Sequence, residues 1–248
     1  MKRILVILLI TALVAALCAY VSKDEDAAEI PNPASTADSD MAAGSTSFSY
    51  TVTFGAYEQD NDLTNGSEPI EWIVLDKNDR GELLLISKYG LDAVPYNRAH
   101  IDRTWEKSTI RTWLNREFCN SAFSADDQER ILTVHVTADK NPSYDTDPGN
   151  DTEDKVFLLS ITEARKYFDS DNAGMCVPTK RAIANGVWVS DSYNVNGEAT
   201  CLWWLRSAGS VQNYAANVYF GGYVLDYGSL ISSRDICVRP AMWVRLVF

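Results

Sequence analysis

From residue 48 onward, apolar and polar positions change rhythm several times, and each change predicts an element. Phe48 to Phe54 alternates with period two, as a half-buried strand does. Glu68 to Asp76 predicts a second strand and Leu83 to Ser87 a third, joined by the turn Asp79-Arg80-Gly81 as a hairpin. Ile110, Trp113, Leu114 and Phe118 then fall at helical spacing within Ser108–Phe118. Ser124 with Asp127, and Ser160 with Glu163, stand at the spacing of capping boxes opening two short helices. Between them lie an alternating Thr133–Thr137, a polar loop from Asp139 to Asp154 and the apolar run Val156–Leu159, which predicts a buried strand. From Val187 the chain becomes strand-like and Gly-rich, with Cys201–Ser207, Ala215–Phe220, Tyr223–Leu225 and Val238–Val244 as the apolar runs. Pro240 in the last of these predicts an edge or a bulge, because proline has no N–H to give a ladder. Helices in the middle and strands at both ends define an α+β domain of mainly antiparallel sheets with two or three short helices.

The first 47 residues follow a different rule. Lys2 and Arg3 precede an apolar run from Ile4 to Val21, the pattern of an export signal. The run approaches the roughly 20 residues that span a bilayer as a helix, so residues 1–22 read as a signal anchor or a cleaved signal peptide. Residues 23–47 carry Asp24, Glu25, Asp26, Glu29, Asp38 and Asp40 among Ala, Ser and Pro, an acidic, disordered linker. Residues 48–248 form the globular domain. This layout predicts a location outside the cytoplasm, with the membrane met only through the N-terminal apolar segment.

Charge narrows the partners. The net charge is −12; removing Lys2 and Arg3 leaves −14 on the rest of the chain. That excludes nucleic acid, which needs a basic footprint, and suits neutral ligands or calcium. Cys119, Cys176, Cys201 and Cys237 lie in the domain, enough for two disulfides in any of three connectivities. Their spacing has no C-x-x-C of the kind a zinc knuckle uses. His100 and His135 are the chain's two histidines, and no catalytic motif surrounds either, so both are expected to be structural and the protein not to be an enzyme.

Two candidate sites remain. Calcium takes oxygen ligands, and Asp145, Asp147, Asn150 and Asp151 supply them within the polar loop; Asp60-Asn61-Asp62 with Asn65-Gly66 is the other acidic loop. The Gly- and Tyr-rich stretch after Trp203 offers Arg206, Asn213, Tyr214, Asn217, Tyr219, Tyr223, Asp226, Tyr227 and Arg234, a mixture of aromatic faces and planar polar groups that grips glycans or peptides. The expected partner is therefore a glycan or protein ligand at the cell surface.

Several segments together carry a resemblance: Phe54-Gly55-x-Tyr57-Glu58-Gln59-Asp60, Pro69 to Asp76, Arg111-x-Trp113-Leu114-Asn115, Asp154 to Ser160, Trp203-Trp204-Leu205-Arg206-Ser207 and Val238 to Val244. In this order they resemble the bacterial domain of unknown function 6273, from about Phe48 to Phe248, with Ala208 where that family commonly has proline. More distantly, the pattern is similar to the C-type lectin-like fold shared with formylglycine-generating enzymes. That resemblance implies two helices after the first strands, a variable Trp/Arg/Gly-rich face and a final strand paired with the N-terminal one. It also raises two alternatives: a copper oxidase using paired cysteines, although the Cys-x4-Cys spacing is absent, and a ligand-free structural component of the cell envelope.

Overall fold

The computed structural model describes residues 50–169 and 172–246. The N-terminal apolar segment and the whole acidic linker lie outside them. Among the described residues no helix is long and apolar enough to cross a membrane.

Two antiparallel-dominated sheets organise the core. The first runs in the order β1 (Thr51–Tyr57), β2 (Glu68–Lys77), β3 (Leu83–Ser87) and, after a long excursion, β13 (Ala241–Val244). β2 turns Ile70, Trp72 and Val74 inward, whereas β3 is buried along its whole length because β2 and β13 flank it. The second sheet runs β11 (Val224–Leu230), β10 (Tyr214–Val218), β9 (Trp203–Ala208), β12 (Cys237–Val238) and β4 (Asp92–Ala93), antiparallel except where β12 meets β9. Two small hairpins are added: β5 (Val134–Val136) with β6 (Thr152–Asp154), and β7 (Val189–Val195) with β8 (Glu198–Cys201). The chain is thus α+β with mainly antiparallel sheets.

Among the described residues, four short α-helical segments pack on this frame. The first, α1, comprises Thr109–Trp113, a π-helical turn Leu114–Phe118 and Cys119–Ala122, capped by Ser108. It buries Ile110, Leu114 and Phe118, and the Phe118 ring lies 5.3 Å from Tyr57 and 5.9 Å from Phe123. Next come α2 (Ala125–Arg130) and α3 (Ile161–Tyr167), which open on complete capping boxes at Ser124/Asp127 and Ser160/Glu163. The last, α4 (Lys180–Ala184), is capped by Thr179.

Three expectations change. Val156–Leu159 is buried but is no strand beyond one bridge from Phe157 to Ala241. The carbonyls of Leu158 and Leu159 accept instead from the Arg206 side chain and the Arg206 backbone. Pro240 is neither an edge nor a bulge: it links β12 in one sheet to β13 in the other, a place where a missing N–H breaks no ladder. The final strand pairs with β3, not with the N-terminal strand, and β1 takes the edge beside β2.

Candidate functional site

Two neighbouring turns bring together aromatic side chains that are distant in sequence. The β7–β8 hairpin closes through Asn196 and Gly197 at φ 54° and 88°, the left-handed pair that a two-residue turn between twisted strands requires. The β10–β11 connection folds back by Tyr219 N–H to Tyr223 O and Gly222 N–H to Tyr219 O, both 2.9 Å. Buried Thr200 ties the two together, its hydroxyl 2.9 Å from Phe220 O and 3.2 Å from Tyr193 O. The rings form a continuous surface: Trp188 to Phe220 5.5 Å, Phe220 to Tyr219 5.0 Å, Tyr219 to Tyr223 5.1 Å and Tyr219 to Tyr193 5.9 Å. Gly221 makes this spacing possible, since a Cβ there would lie 2.9 Å from the Tyr193 ring and 3.1 Å from the Tyr223 ring.

This face is open and uncharged. Trp188 is 61 % exposed, Tyr223 51 % and Tyr227 52 %. Desolvation first, then the nearby Tyr193, Tyr219 and Tyr227, raise the Tyr223 hydroxyl above its ordinary range, so it stays protonated at neutral pH. Among the described residues the hydroxyls of Tyr193, Tyr219, Tyr223 and Tyr227 have no hydrogen-bond partner. Aromatic faces beside available hydroxyls can stack on a ring and hydrogen-bond its substituents at the same time.

The nine residues singled out in sequence divide accordingly. Tyr219 and Tyr223 belong to this face, Tyr227 is exposed nearby on β11, and Arg234 is exposed on the β11–β12 connection. Arg206 points inward, paired with Glu163 and donating to Thr137 O at 3.2 Å and Leu158 O at 2.9 Å. Asn217 is fully buried, with its amide nitrogen 2.8 Å from Ser229 Oγ. Asp226 is held by Arg165 at 2.6 Å and by the Ser143 hydroxyl, Asn213 contacts the His100 ring, and Tyr214 is half-buried on β10. Trp188 and Tyr193 were not singled out. The Asn-Gly dipeptide between two alternating runs was the signal that would have placed them on a hairpin.

Among the described residues, no close group of three acidic or histidine side chains includes Asp145, Asp147 or Asp151. Asp147 Oδ1 accepts from Gly149 N–H at 2.9 Å, Asn150 donates to Glu106 at 2.8 Å, and Asp151 accepts from Ala138 N–H at 2.7 Å and contacts His135. Asp147, Asn150 and Asp151 are thus engaged by protein groups, Asp147 within the loop and the other two outside it. Among the described residues, the acidic side chains that do meet, with ligand atoms within 4.8 Å of one another, are Glu58, Asp60 and Glu68, in the β1–β2 connection and at the start of β2. There Glu68 Oε2 accepts from Gln59 N–H at 2.6 Å and Asp60 N–H at 3.2 Å, which closes the turn.

His135 sits on β5 between Glu153 at 3.1 Å and Asp151 at 3.0 Å. Hydrogen bonds to Glu153 and then Asp151 raise its pKa above the ordinary 6.5. A raised folded-state value means that the stabilisation is fully present below about pH 6.5 and is lost as pH rises through the folded pKa. An NMR titration should find the imidazole titrating above 6.5, with the Asp151→Asn/Glu153→Gln pair returning it towards that value; a wild-type midpoint at or below 6.5 refutes the pairing.

The described cysteines are all unpaired and buried. Cys201 and Cys237 do meet, but at 0 % exposure they offer no path to a substrate.

The chain thus carries a loop-borne aromatic face on an α+β domain of mainly antiparallel sheets. The model of the domain of unknown function 6273 matches residues 80–246, and the chain belongs to that family. The match begins after β1 and β2, which nevertheless complete the sheet containing β3. No curated protein and no solved structure matches the chain.

Proposed function

We propose that this chain is an exported binding module, held at the membrane by residues 1–22 or released by cleavage, which recognises a glycan or protein ligand outside the cytoplasm. The observation that carries this reading is the aromatic face on which Trp188, Tyr223 and Tyr227 are exposed and Tyr193 and Tyr219 half-buried, with the tyrosine hydroxyls unengaged. Buried rings contribute packing; exposed rings set side by side over a glycine expose apolar area that a ligand can cover. The net charge of −12 favours a neutral or cationic ligand over nucleic acid.

A C-type lectin-like arrangement belongs to the same proposal. It is supported by the α+β order of elements and by the concentration of loops around β9–β11, while the pairing of β13 with β3 departs from it. The burial of Cys201 and Cys237 removes the support that a copper oxidase would need.

A glycan array and a pull-down from cell-surface extracts test the reading, each run with and without calcium. Tyr223→Ala and Trp188→Ala should each weaken binding by about ten-fold or more, as loss of an interface anchor does. Both side chains are mostly exposed, so the unfolding midpoint should stay near wild type. Clean negatives in both assays, unchanged by calcium, reject the proposal.

A further inference from the structure

Three of the four described cysteines meet at one point in the core. Cys176 follows the turn at Asn172–Gly174, Cys201 closes β8 and Cys237 opens β12, and each is at most 1 % exposed. Cys201 is the middle member. Its N–H donates to Cys176 O at 2.9 Å, its thiol reaches the same oxygen at 3.4 Å, and the thiols of Cys176 and Cys237 are its titratable neighbours. Gly90 leaves the room they occupy: a Cβ there would stand 2.4 Å from Cys237 Sγ and 3.3 Å from Cys201 Sγ. Cys119 is placed apart on α1, where Lys155 is its charged neighbour.

We propose that this cluster is the site of a single intrachain disulfide, formed by Cys201 with one of its two thiol neighbours when the chain folds in the presence of a disulfide oxidant. The placement of Cys119 removes the two-disulfide arrangement that four cysteines permit. It leaves Cys201 as the one cysteine able to pair in either direction.

The chemistry is thiol–disulfide exchange with a small-molecule disulfide such as oxidised glutathione. One cysteine thiolate attacks an oxidant sulfur, giving a mixed disulfide and releasing one glutathione thiolate. The second cysteine thiolate then attacks the protein sulfur of the mixed disulfide and releases the other. Two S–H bonds are lost and one S–S bond forms; the two protons go to solvent, and the oxidant takes up the two electrons. The order of events is set by burial, which raises all three thiols above their ordinary range and leaves little thiolate once the core has closed. Exchange therefore precedes the docking of the Gly90 segment. Arg239, buried between Phe168 and Trp203, opposes that rise electrostatically at all three thiols. Either pairing ties down the base of the β7–β8 hairpin that presents Tyr193.

The test refolds the reduced, unfolded full-length chain in a reduced/oxidised glutathione buffer, then alkylates it under denaturing conditions and maps the peptides. The expected product has one disulfide containing Cys201 and three of the five cysteines alkylated, Cys18 and Cys119 among them. Cys201→Ala should leave all four remaining cysteines alkylated, while Cys119→Ala should keep the disulfide. The folded, reduced chain given the same oxidant should remain unoxidised over the same interval. Five alkylated cysteines in refolded wild type, or a disulfide that omits Cys201, overturns the proposal, and this wild-type map decides even if a variant does not fold.

Discussion

Arg206→Ala is expected to destabilise the domain by about 3–5 kcal/mol, the range for removing one partner of a buried ion pair. The guanidinium side chain is 3 % exposed. Its donors hold Thr137 O, Leu158 O and Glu163, and its backbone N–H holds Leu159 O. Truncation orphans the buried Leu158 O and removes a donor from Thr137 O, while the backbone bond to Leu159 O remains. It also opens a void against the Phe157 ring, over which the guanidinium lies at 6.0 Å. Glu163 is 32 % exposed and can recover water, which places the loss toward the lower end of that range. Equilibrium urea unfolding measures it, and a loss under about 1 kcal/mol would show that Arg206 is not the hub described. Arg206→Met should recover only part, since it restores volume but no donors.

Gly228→Ala should cost about 3 kcal/mol or more. Gly228 lies within β11 at φ 68°, where an L-residue meets roughly 1–2 kcal/mol of left-handed strain. A Cβ at that position would also come within 2.1 Å of Ala215 O, a backbone atom of β10 that cannot rotate away. The β10–β11 register shifts here, between Ala215 and Asn217, so relief of the clash means separating the strands that lead to Tyr219, Tyr223 and Tyr227. Gly66→Ala is the control: it has φ 92° and nothing within 4 Å of the added carbon, so it reports strain alone. Equal losses in the two variants, measured by the same unfolding experiment, would remove the role assigned to close strand approach.

Much of the frame was legible from local signals. The third strand was expected at Leu83–Ser87 and occupies those residues, and both capping boxes form. These depend on periodicity and on contacts within three residues. The motifs that carry the family resemblance have internal roles. Trp72, Trp203 and Trp204 donate their indole N–H groups to Phe54 O, Gly174 O and Val94 O. Arg111 pairs with Asp154 at 2.7 Å, Asn115 brackets Lys155 and Val156, and Arg239 donates to Ser87 O. Family membership therefore says which fold is built, and the aromatic face is formed by other residues.

The candidate face was half legible. Tyr219, Tyr223 and Tyr227 stand out in a Gly-rich stretch, but nothing in their spacing distinguishes them from Asn217, which turns into the core. Trp188 and Tyr193 join them through Thr200 and the hairpin, a relation across 20 or more residues that periodicity does not encode. The same holds for the thiols, since Cys176, Cys201 and Cys237 come from separate segments and Gly90 leaves the room for Cys201 and Cys237. By itself the sequence determined the α+β class, the positions of strands and helix caps, the acidic balance and the family, because each follows from composition or from neighbours along the chain. The tertiary structure alone decided that β13 lies beside β3, that Arg206 faces inward and that aromatic side chains around the β7–β8 and β10–β11 connections meet. Those outcomes depend on which buried groups find partners, and the partners lie tens of residues apart.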